Sequence, residues 1–559
     1  MLQHDILIVG AGLAGMRAAI RAAEIPGVNV ALVSKLHPLR SHSGAAEGGI
    51  NAALTPDDKW EDHAFDTVKG SDYLGDQDAI DYMCEQAPAE VYWLEHAGTL
   101  FNRADNGGLD IRSFGGAGRP RTAFVADVTG HALLHTLYEQ VVARDIFVYE
   151  EWFVTNLIVE NGVCKGVLAW DIVNGGLNII RAKAVILATG GNGRIYHGRT
   201  TNAWSNTGDG IAIAYYAGVP LADMEFVQFH PTTLKPNGVL LTEANRGEGG
   251  YLLNSLGERF MARYAPSKME LGPRDLVSRA EVTEVEEGRG VDGCVLLDIR
   301  HLGEAKIMEK LPNTRELCET FLGIDPVHEP VPVRPGQHYT MGGIRTNRWT
   351  ETIIKGLYAA GECACTSVHG ANRLGANSLL DTLIFGRVAA ERAAEYCKET
   401  PPPQVSDSWL TREEERIQRY LKREGKERLA QIRNELGQSM AEDMGVFRTP
   451  ERMERALQKV KELQERVKHA PIDDKGQVFN TDLLGAIEIE GMLDQAEVIC
   501  VSAIARKESR GAHARRDYPK RDDENYLKHT LAFYNPEGGP RLEYEPVTIT
   551  HYQPMERVY

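Results

Sequence analysis

The pattern of apolar and polar positions opens with a short apolar run, Asp5-Ile6-Leu7-Ile8-Val9, which reaches Gly10-Ala11-Gly12-Leu13-Ala14-Gly15. An alanine-rich stretch over 16–24 follows at helical spacing, and 28–34 is again apolar, so the opening predicts a strand, a helix and a second strand. Two later apolar runs also end in glycine turns. One is Ala184-Val185-Ile186-Leu187-Ala188 before Thr189-Gly190-Gly191, and the other is 353–362, closing on Gly361-Glu362. Runs over 147–160 and 163–170 flank Asn161-Gly162 and predict a hairpin. Residues 76–96 predict a helix broken or kinked at Pro88. The polar, glycine-rich stretch 191–210 predicts a long loop of the functional kind. Over 221–343 the pattern changes to short strands and loops, and Pro401-Pro402-Pro403 marks a boundary. Residues 410–470 predict charged amphipathic helices with a solvated face, and short strands are expected near 531–534 and 541–549.

The glycines of the first turn give the pattern chemical meaning. In G-x-G-x-x-G between a strand and a helix, Gly10 makes the tight turn, Gly12 lets backbone approach a pyrophosphate, and Gly15 packs helix on strand. The residues between them, Ala11, Leu13 and Ala14, place the helix N-terminus against the phosphates. The second strand ends in Ser34-Lys35, where an acidic residue ordinarily holds the adenosine ribose, and this weakens an NAD reading. It leaves FAD open, because the turns at Ala188-Thr189-Gly190 and Gly361-Glu362 suit a longer dinucleotide.

Composition narrows the class. The 559 residues imply two to four domains, and 43% hydrophobic with 25% charged residues is ordinary for a soluble protein. A net charge of −17 without basic runs disfavours nucleic-acid binding. No apolar stretch is long enough to span a bilayer and the first strand begins at once, so neither a membrane span nor a signal peptide is expected, and a cytoplasmic location is. Of the eight cysteines only Cys363 and Cys365 are close, a poor metal site; reduced buried thiols are expected, and no metal.

The segment after the nucleotide-binding unit, Arg40-Ser41-His42-Ser43-Gly44-Ala45-Ala46-Glu47-Gly48-Gly49, places a histidine beside whatever that unit binds. Alone, His42 reads as a turn histidine. With Ala-Glu-Gly-Gly after it, the motif resembles the covalent-flavin motif of the succinate dehydrogenase and fumarate reductase flavoprotein subunits. The likeness runs from the first glycine turn to Ser509-Arg510-Gly511-Ala512-His513 and Arg521-Asp522-Asp523.

The resemblance implies an α/β fold: a Rossmann-like FAD-binding domain over 1–220 and 344–400, and an inserted α+β capping domain over 221–343. A helical domain over 405–517 and a small C-terminal domain over 518–559 complete it. It implies FAD bonded covalently to His42, with Ser34, Lys35, Ser41, Ser43, Gly44, Ala46, Gly48 and Gly49 around it, Val154 beside the adenine, and Asp209 and Glu362 nearby, Glu362 on a ribose. Ser378-Leu379 would open a helix toward the flavin ring. His230, Thr242, His338 and Arg373 match positions that hold a dicarboxylate, with Phe114 near it. Arg274 matches the residue that exchanges the proton, with Glu243 and Arg246 as its relay. Arginine suits carboxylates because its planar fork is bidentate and stays charged. The implied partners are an iron-sulfur subunit and, through it, a membrane anchor and quinone, which would hold this chain at the inner face of the cell membrane. Glu47 stands where fumarate reductases tend to have Glu and succinate dehydrogenases Gln. Two other readings are an L-aspartate oxidase-like flavoenzyme, which lacks the flavin-linking histidine, and a flavin-fold protein without catalysis.

Overall fold

A computed structural model describes residues 2–557. Its centre is a seven-stranded sheet in which the parallel strands Phe147–Glu150, Val30–Ser34, Leu2–Val9 and Leu177–Leu187 lie side by side. Strand Leu177–Leu187 is shared: its first half pairs with the antiparallel hairpin, and its second half pairs in parallel with Leu357–Ala359. Successive side chains of a buried parallel strand serve opposite faces. Ile6 and Ile8 accordingly join a core with helices Leu13–Ala23 and Asn377–Glu399, through Met16, Ile20, Leu380 and Ile384. Leu7 and Val9 join the opposite core, which extends to Leu436, Val460 and Met492 of the helices nearer the C-terminus.

The hairpin differs from expectation at its start. Phe147–Glu150 and Trp152–Glu160 are separate strands, because Glu151 adopts φ 57° and turns the chain from parallel pairing with Val30–Ser34 into the antiparallel ladder. Pro88 does not end its helix, which runs Gln77–Ala97. Burial of Ile80, Met83, Cys84, Ala87, Val91 and Leu94 offsets the loss of one backbone N–H, a cost of about 3 kcal/mol. The 191–210 stretch contains a short helical turn, Gly193–Tyr196, and ends at helix Asp209–Tyr216.

Residues 221–343 contain a four-stranded antiparallel sheet in the order Val227–Leu234, Val331–Thr340, Val295–Asp298 and Tyr251–Leu253, packed by helix Arg274–Glu286. Its core is its own: Leu241, Leu252, Phe260, Val277, Leu297 and Val331. Leu221–Ala222 instead joins a second sheet with Gly343–Arg345 and the terminal hairpin Lys528–Phe533 and Arg541–Pro546. Helix Pro450–Val467 buries Met453, Ala456, Val460, Leu463 and Val467 and exposes its charges, as the period requires. All eight cysteines are buried and free of disulfides. Among the described residues no helix is long and apolar enough to cross a membrane.

The terminal hairpin is fastened by a buried charge cluster. His529 lies between Asp223 Oδ2 at 2.6 Å and Asp76 Oδ1 at 3.3 Å, three residues from distant parts of the chain. Burial alone would lower the imidazole, but the two carboxylates hold it up at about 9. The folded value exceeds the unfolded one, near 6.5, so this stabilisation is complete below about pH 6.5 and is lost as pH rises through about 9. Below pH 6.5, His529→Gln is expected to destabilise the fold by at most about 3 kcal/mol, read as a lower thermal midpoint. Thermal melts of both proteins should converge above pH 9; a gap independent of pH would assign the effect to packing.

Candidate active site

The glycine turns gather at the C-terminal ends of the parallel strands, where such sheets open into a crevice. Gly10 has φ 109°, and a Cβ there would stand 2.1 Å from Ala188 O, so two strand-end turns touch. A Cβ on Gly15 would lie 1.8 Å from Gly10 O, which keeps Gly15 off the cavity wall and in the packing of helix on strand. The wall of one long cavity includes Gly10, Ala11, Gly12, Leu13 and Ala14, then Ala188, Thr189 and Gly190, and then Gly361 and Glu362. Helix Leu13–Ala23 has no side-chain cap, and neither does helix Asn377–Glu399, whose first turn brings Ser378 and Leu379 to the same cavity. Two helix N-termini without a cap from their own N-cap residues, and a glycine cradle, fit an extended anionic dinucleotide.

At one end, Ser34, Val154 and Asp209 line the wall. Lys35 explains the missing acidic residue: its Nζ meets Asp209 Oδ2 at 2.5 Å and Glu488 Oε1 at 2.8 Å. Burial alone would lower this ammonium, but the two carboxylates hold it above its ordinary range. Glu362 accepts the Thr340 N–H at 3.2 Å, and burial pushes its carboxyl up to about 7.

In the middle, His42 opens a helical turn, His42–Ala45, between Ser41 and Ser43. Ser43 Oγ accepts the Leu13 N–H at 3.3 Å, tying this turn to the nucleotide helix. His42 Nδ1 accepts the Ala203 N–H at 3.3 Å, leaving Nε2 as the other ring nitrogen. Burial, then the nearby Arg194 charge, lowers the imidazole to about 4, so it is neutral. Ala46, Gly48 and Gly49 line the cavity; Gly44 does not, and a Cβ there would meet a Leu134 methyl at 3.4 Å. The Phe114 ring stands so close that a Cβ on Gly48 would meet it at 2.5 Å. Glu47 is also on the wall, and burial followed by the neighbouring Asp127 raises its carboxyl well above the usual range. Held neutral, it is close to a glutamine in shape and charge.

The other end is cationic. His230 Nδ1 accepts the Thr232 N–H at 3.2 Å, and its buried Nε2 has no partner. The His338 ring lies 5.0 Å away by centroid, with Nδ1 2.8 Å from Thr201 Oγ1. Burial and then the Arg274 charge hold both imidazoles well below their usual value, and hence neutral. Arg274 donates from Nε to Glu243 Oε2 at 2.6 Å, and Glu243 Oε1 accepts the Gly115 N–H at 2.6 Å. Burial would raise the Glu243 carboxyl, but Arg274 and Arg246 hold it low and ionised. Arg246 lies behind Glu243, off the cavity wall, with Nη2 3.5 Å from Glu243 Oε2. Arg373 has no carboxylate partner among the described residues; burial and Arg274 push it down to about 9, and its Nε is bare. Thr242 completes this end of the wall.

Gln228 is the important residue that motif reading passed over. Its Oε1 accepts from Arg274 Nη1 at 3.2 Å and Arg373 Nη2 at 3.1 Å, while its Nε2 donates to Asn372 Oδ1 and Arg373 O. One signal was available: Gln228 precedes His230 by two, the spacing of one strand face. The cluster thus sets three guanidiniums against one ionised carboxylate in a buried space, so it is short of anionic charge.

Comparison with known proteins agrees with this geometry. Residues 5–379 match the family described as FAD binding domain, and residues 433–559 match fumarate reductase flavoprotein C-term. The fumarate reductase flavoprotein subunit of Proteus vulgaris is 49% identical over 99% of this chain and 96% of that protein. The succinate dehydrogenase flavoprotein subunit of Rickettsia bellii is 46% identical over 100% of this chain and 98% of that protein. A solved E. coli quinol fumarate reductase chain superposes with a TM-score of 0.97 at 46% identity, covering 100% of this chain and 99% of the other. A dinucleotide cavity ending in a cationic pocket, together with full-length likeness, places the chain in the family of fumarate reductase and succinate dehydrogenase flavoprotein subunits.

Proposed function

We propose that this chain interconverts succinate and fumarate at FAD bonded to His42 and passes the electrons to an iron-sulfur subunit, and so to membrane quinone. The observation that carries this reading is the buried excess of guanidinium charge over Glu243 beside two neutral histidines, at the flavin end of the cavity. A dicarboxylate brings the two negative charges that the cluster lacks. Its match to quinol fumarate reductase supports the quinone-linked partners, which would hold the chain at the membrane's inner face.

The flavin supplies hydride exchange at N5. The chain supplies the rest. Arg373 holds one carboxylate, fixed in orientation by Gln228. Neutral His230, His338 and the Thr242 hydroxyl offer hydrogen bonds to the other, and Phe114 helps exclude water. Arg274, anchored through Nε and Nη1, keeps Nη2 free of hydrogen bonds to the described residues and turns it to the reacting carbon. Glu243 then Arg246 return its proton. His42 separates this reading from an aspartate oxidase-like enzyme, and the assembled cationic pocket separates it from a non-catalytic fold.

His42→Ser should retain FAD through the glycine cradle but lose it on acid precipitation, and should lower succinate oxidation more than fumarate reduction. Yellow flavin remaining in the acid pellet of the variant would refute the linkage.

Arg274→Lys should cut turnover by about 10³-fold or more while malonate affinity, read from the flavin spectrum, stays within a few-fold, because lysine keeps charge but not the fork. Arg373→Lys should weaken malonate binding by about tenfold, the loss of one bidentate grip. Normal turnover of saturated Arg274→Lys would move the proton donor elsewhere.

The division at 221–343 is proposed as a cap that closes on substrate, since Arg274 comes from it and Arg373 from 344–400. Malonate should slow hydrogen exchange across 221–343; unchanged exchange would argue for a fixed cap.

A further inference from the structure

Helix Arg274–Glu286 carries a second buried acid that the reaction described above does not use. Glu281 is fully buried, and both of its carboxyl oxygens lack a hydrogen-bond partner. Three residues on, Glu284 is equally buried but accepts from Arg289, Arg263, Asn254 and Tyr264. The contrast makes Glu281 an exception to the rule that buried carboxyls are satisfied.

Its counterpart is Arg246. That guanidinium is also buried; Nη1 donates to Glu270 O at 2.6 Å, but Nε and Nη2 have no hydrogen-bond acceptor. Arg246 and Glu281 feel each other's charge without coming within ion-pair distance. Nη2 lies toward Glu243 at 3.5 Å, which leaves Nε as a bare donor near a bare carboxyl, and an ordered water can complete both. Glu281 also influences Cys294, beside the exposed turn Asp292-Gly293. Glu281 is thus within electrostatic reach of both Arg246, the outer end of the relay, and this exposed turn.

Charge balance fixes the protonation state. Arg274, Arg246 and Arg373 against Glu243 and a bound dicarboxylate sum to zero, so an ionised Glu281 would leave a buried negative charge uncompensated. Burial likewise raises its carboxyl well above the ordinary value, with only Arg246 opposing. The other titratable groups facing it do not change this: Cys294 is a buried thiol raised above its ordinary value, and Glu284 is neutralised by Arg289.

We propose that Glu281 is the proton reserve of the relay, a station beyond Arg246 reached through one bridging water. In fumarate reduction, Arg274 gives a proton to the substrate carbon; Arg246 then protonates the Glu243 carboxylate, which passes that proton on to Arg274. Glu281 then releases its O–H proton to the water as that water protonates Arg246. Arg246 thereby regains its charge, Glu281 is left as a carboxylate, and it is reprotonated from the surface side; succinate oxidation runs the same transfers backward. Glu281 acts through Arg246 and Glu243 and does not touch substrate.

This inference rests on the dicarboxylate reading, so the first measurement is fumarate turnover by the wild-type holoenzyme with reduced viologen. Its absence would refute that reading and, with it, the relay. Given turnover, Glu281→Gln should leave malonate affinity within about twofold and lower saturated turnover by about tenfold, less than the roughly 10²–10⁴ of a group acting on substrate itself. The deficit should widen as pH rises, the solvent deuterium isotope effect should grow, and Glu281→Asp should recover part of the rate. The infrared spectrum should lose one protonated-carboxyl C=O band in Glu281→Gln. Wild-type turnover and isotope effect in Glu281→Gln, or an unchanged C=O band, would overturn the proposal. So would parallel loss of turnover, malonate binding and thermal stability in Glu281→Gln and Glu281→Leu, which would mark a structural acid.

Discussion

The excess of buried positive charge around Glu243 is the constraint on which the rest of this protein depends. Arg274, Arg246 and Arg373 are each almost wholly removed from water, and only one ionised carboxylate stands among them. Guanidiniums in such a setting are costly unless their forks are satisfied. Backbone and amide groups do part of that work: Glu270 O takes Arg246, Leu374 O takes Arg373, and Gln228 Oε1 takes both Arg274 and Arg373. The remainder is an unmet demand for anionic charge, and this demand gives the pocket its selectivity.

The same constraint explains why the site is assembled from distant segments. Arg274 begins a helix packed on the four-stranded sheet, whereas Arg373 precedes helix Asn377–Glu399 against the central sheet. Repelling cations cannot share one short element cheaply, so each is held by its own scaffold and they meet at Gln228. The terminal hairpin braces the junction, pairing with Leu221–Ala222 and fastening through His529 to Asp223 and Asp76. A dinucleotide cradle of glycines alone would bind FAD; its link to this braced junction adds the cationic pocket on which the proposed dicarboxylate reading rests.

What was legible in the sequence follows how local each signal is. The first glycine turn and its strands were visible because the motif, the apolar run and the helix lie within about thirty residues, although element ends moved, as with Val30–Ser34 for an expected 28–34. Position 151 was not read as a break because two adjacent glutamates within an apolar run do not specify a change of pairing; only parallel pairing on one side and antiparallel on the other reveals it. Lys35 looked like a departure because its acids, Asp209 and Glu488, lie far along the chain. Gln228 and Glu281 were silent for another reason: nothing in composition distinguishes a buried glutamine that bridges two arginines, or a glutamate with no partner, from their solvated equivalents.

Glu243, Glu362, Glu47 and Glu281 show that the field around a residue, rather than its type, sets its role here. Glu243 sits between two guanidiniums and is held ionised. Glu362 has one backbone N–H and a distant arginine, and its carboxyl stands near 7. Glu47, beside Asp127, is held neutral, so the Glu and Gln alternatives at that position differ less in charge than their names suggest. Glu281 meets only Arg246 and is also held neutral. An ionised acid can accept a proton from Arg246 and then hand it to Arg274, whereas a neutral acid can only supply one. A relay that reloads an arginine needs both kinds in series, with the ionised acid nearer the substrate, and that is the order in which Glu243, Arg246 and Glu281 stand.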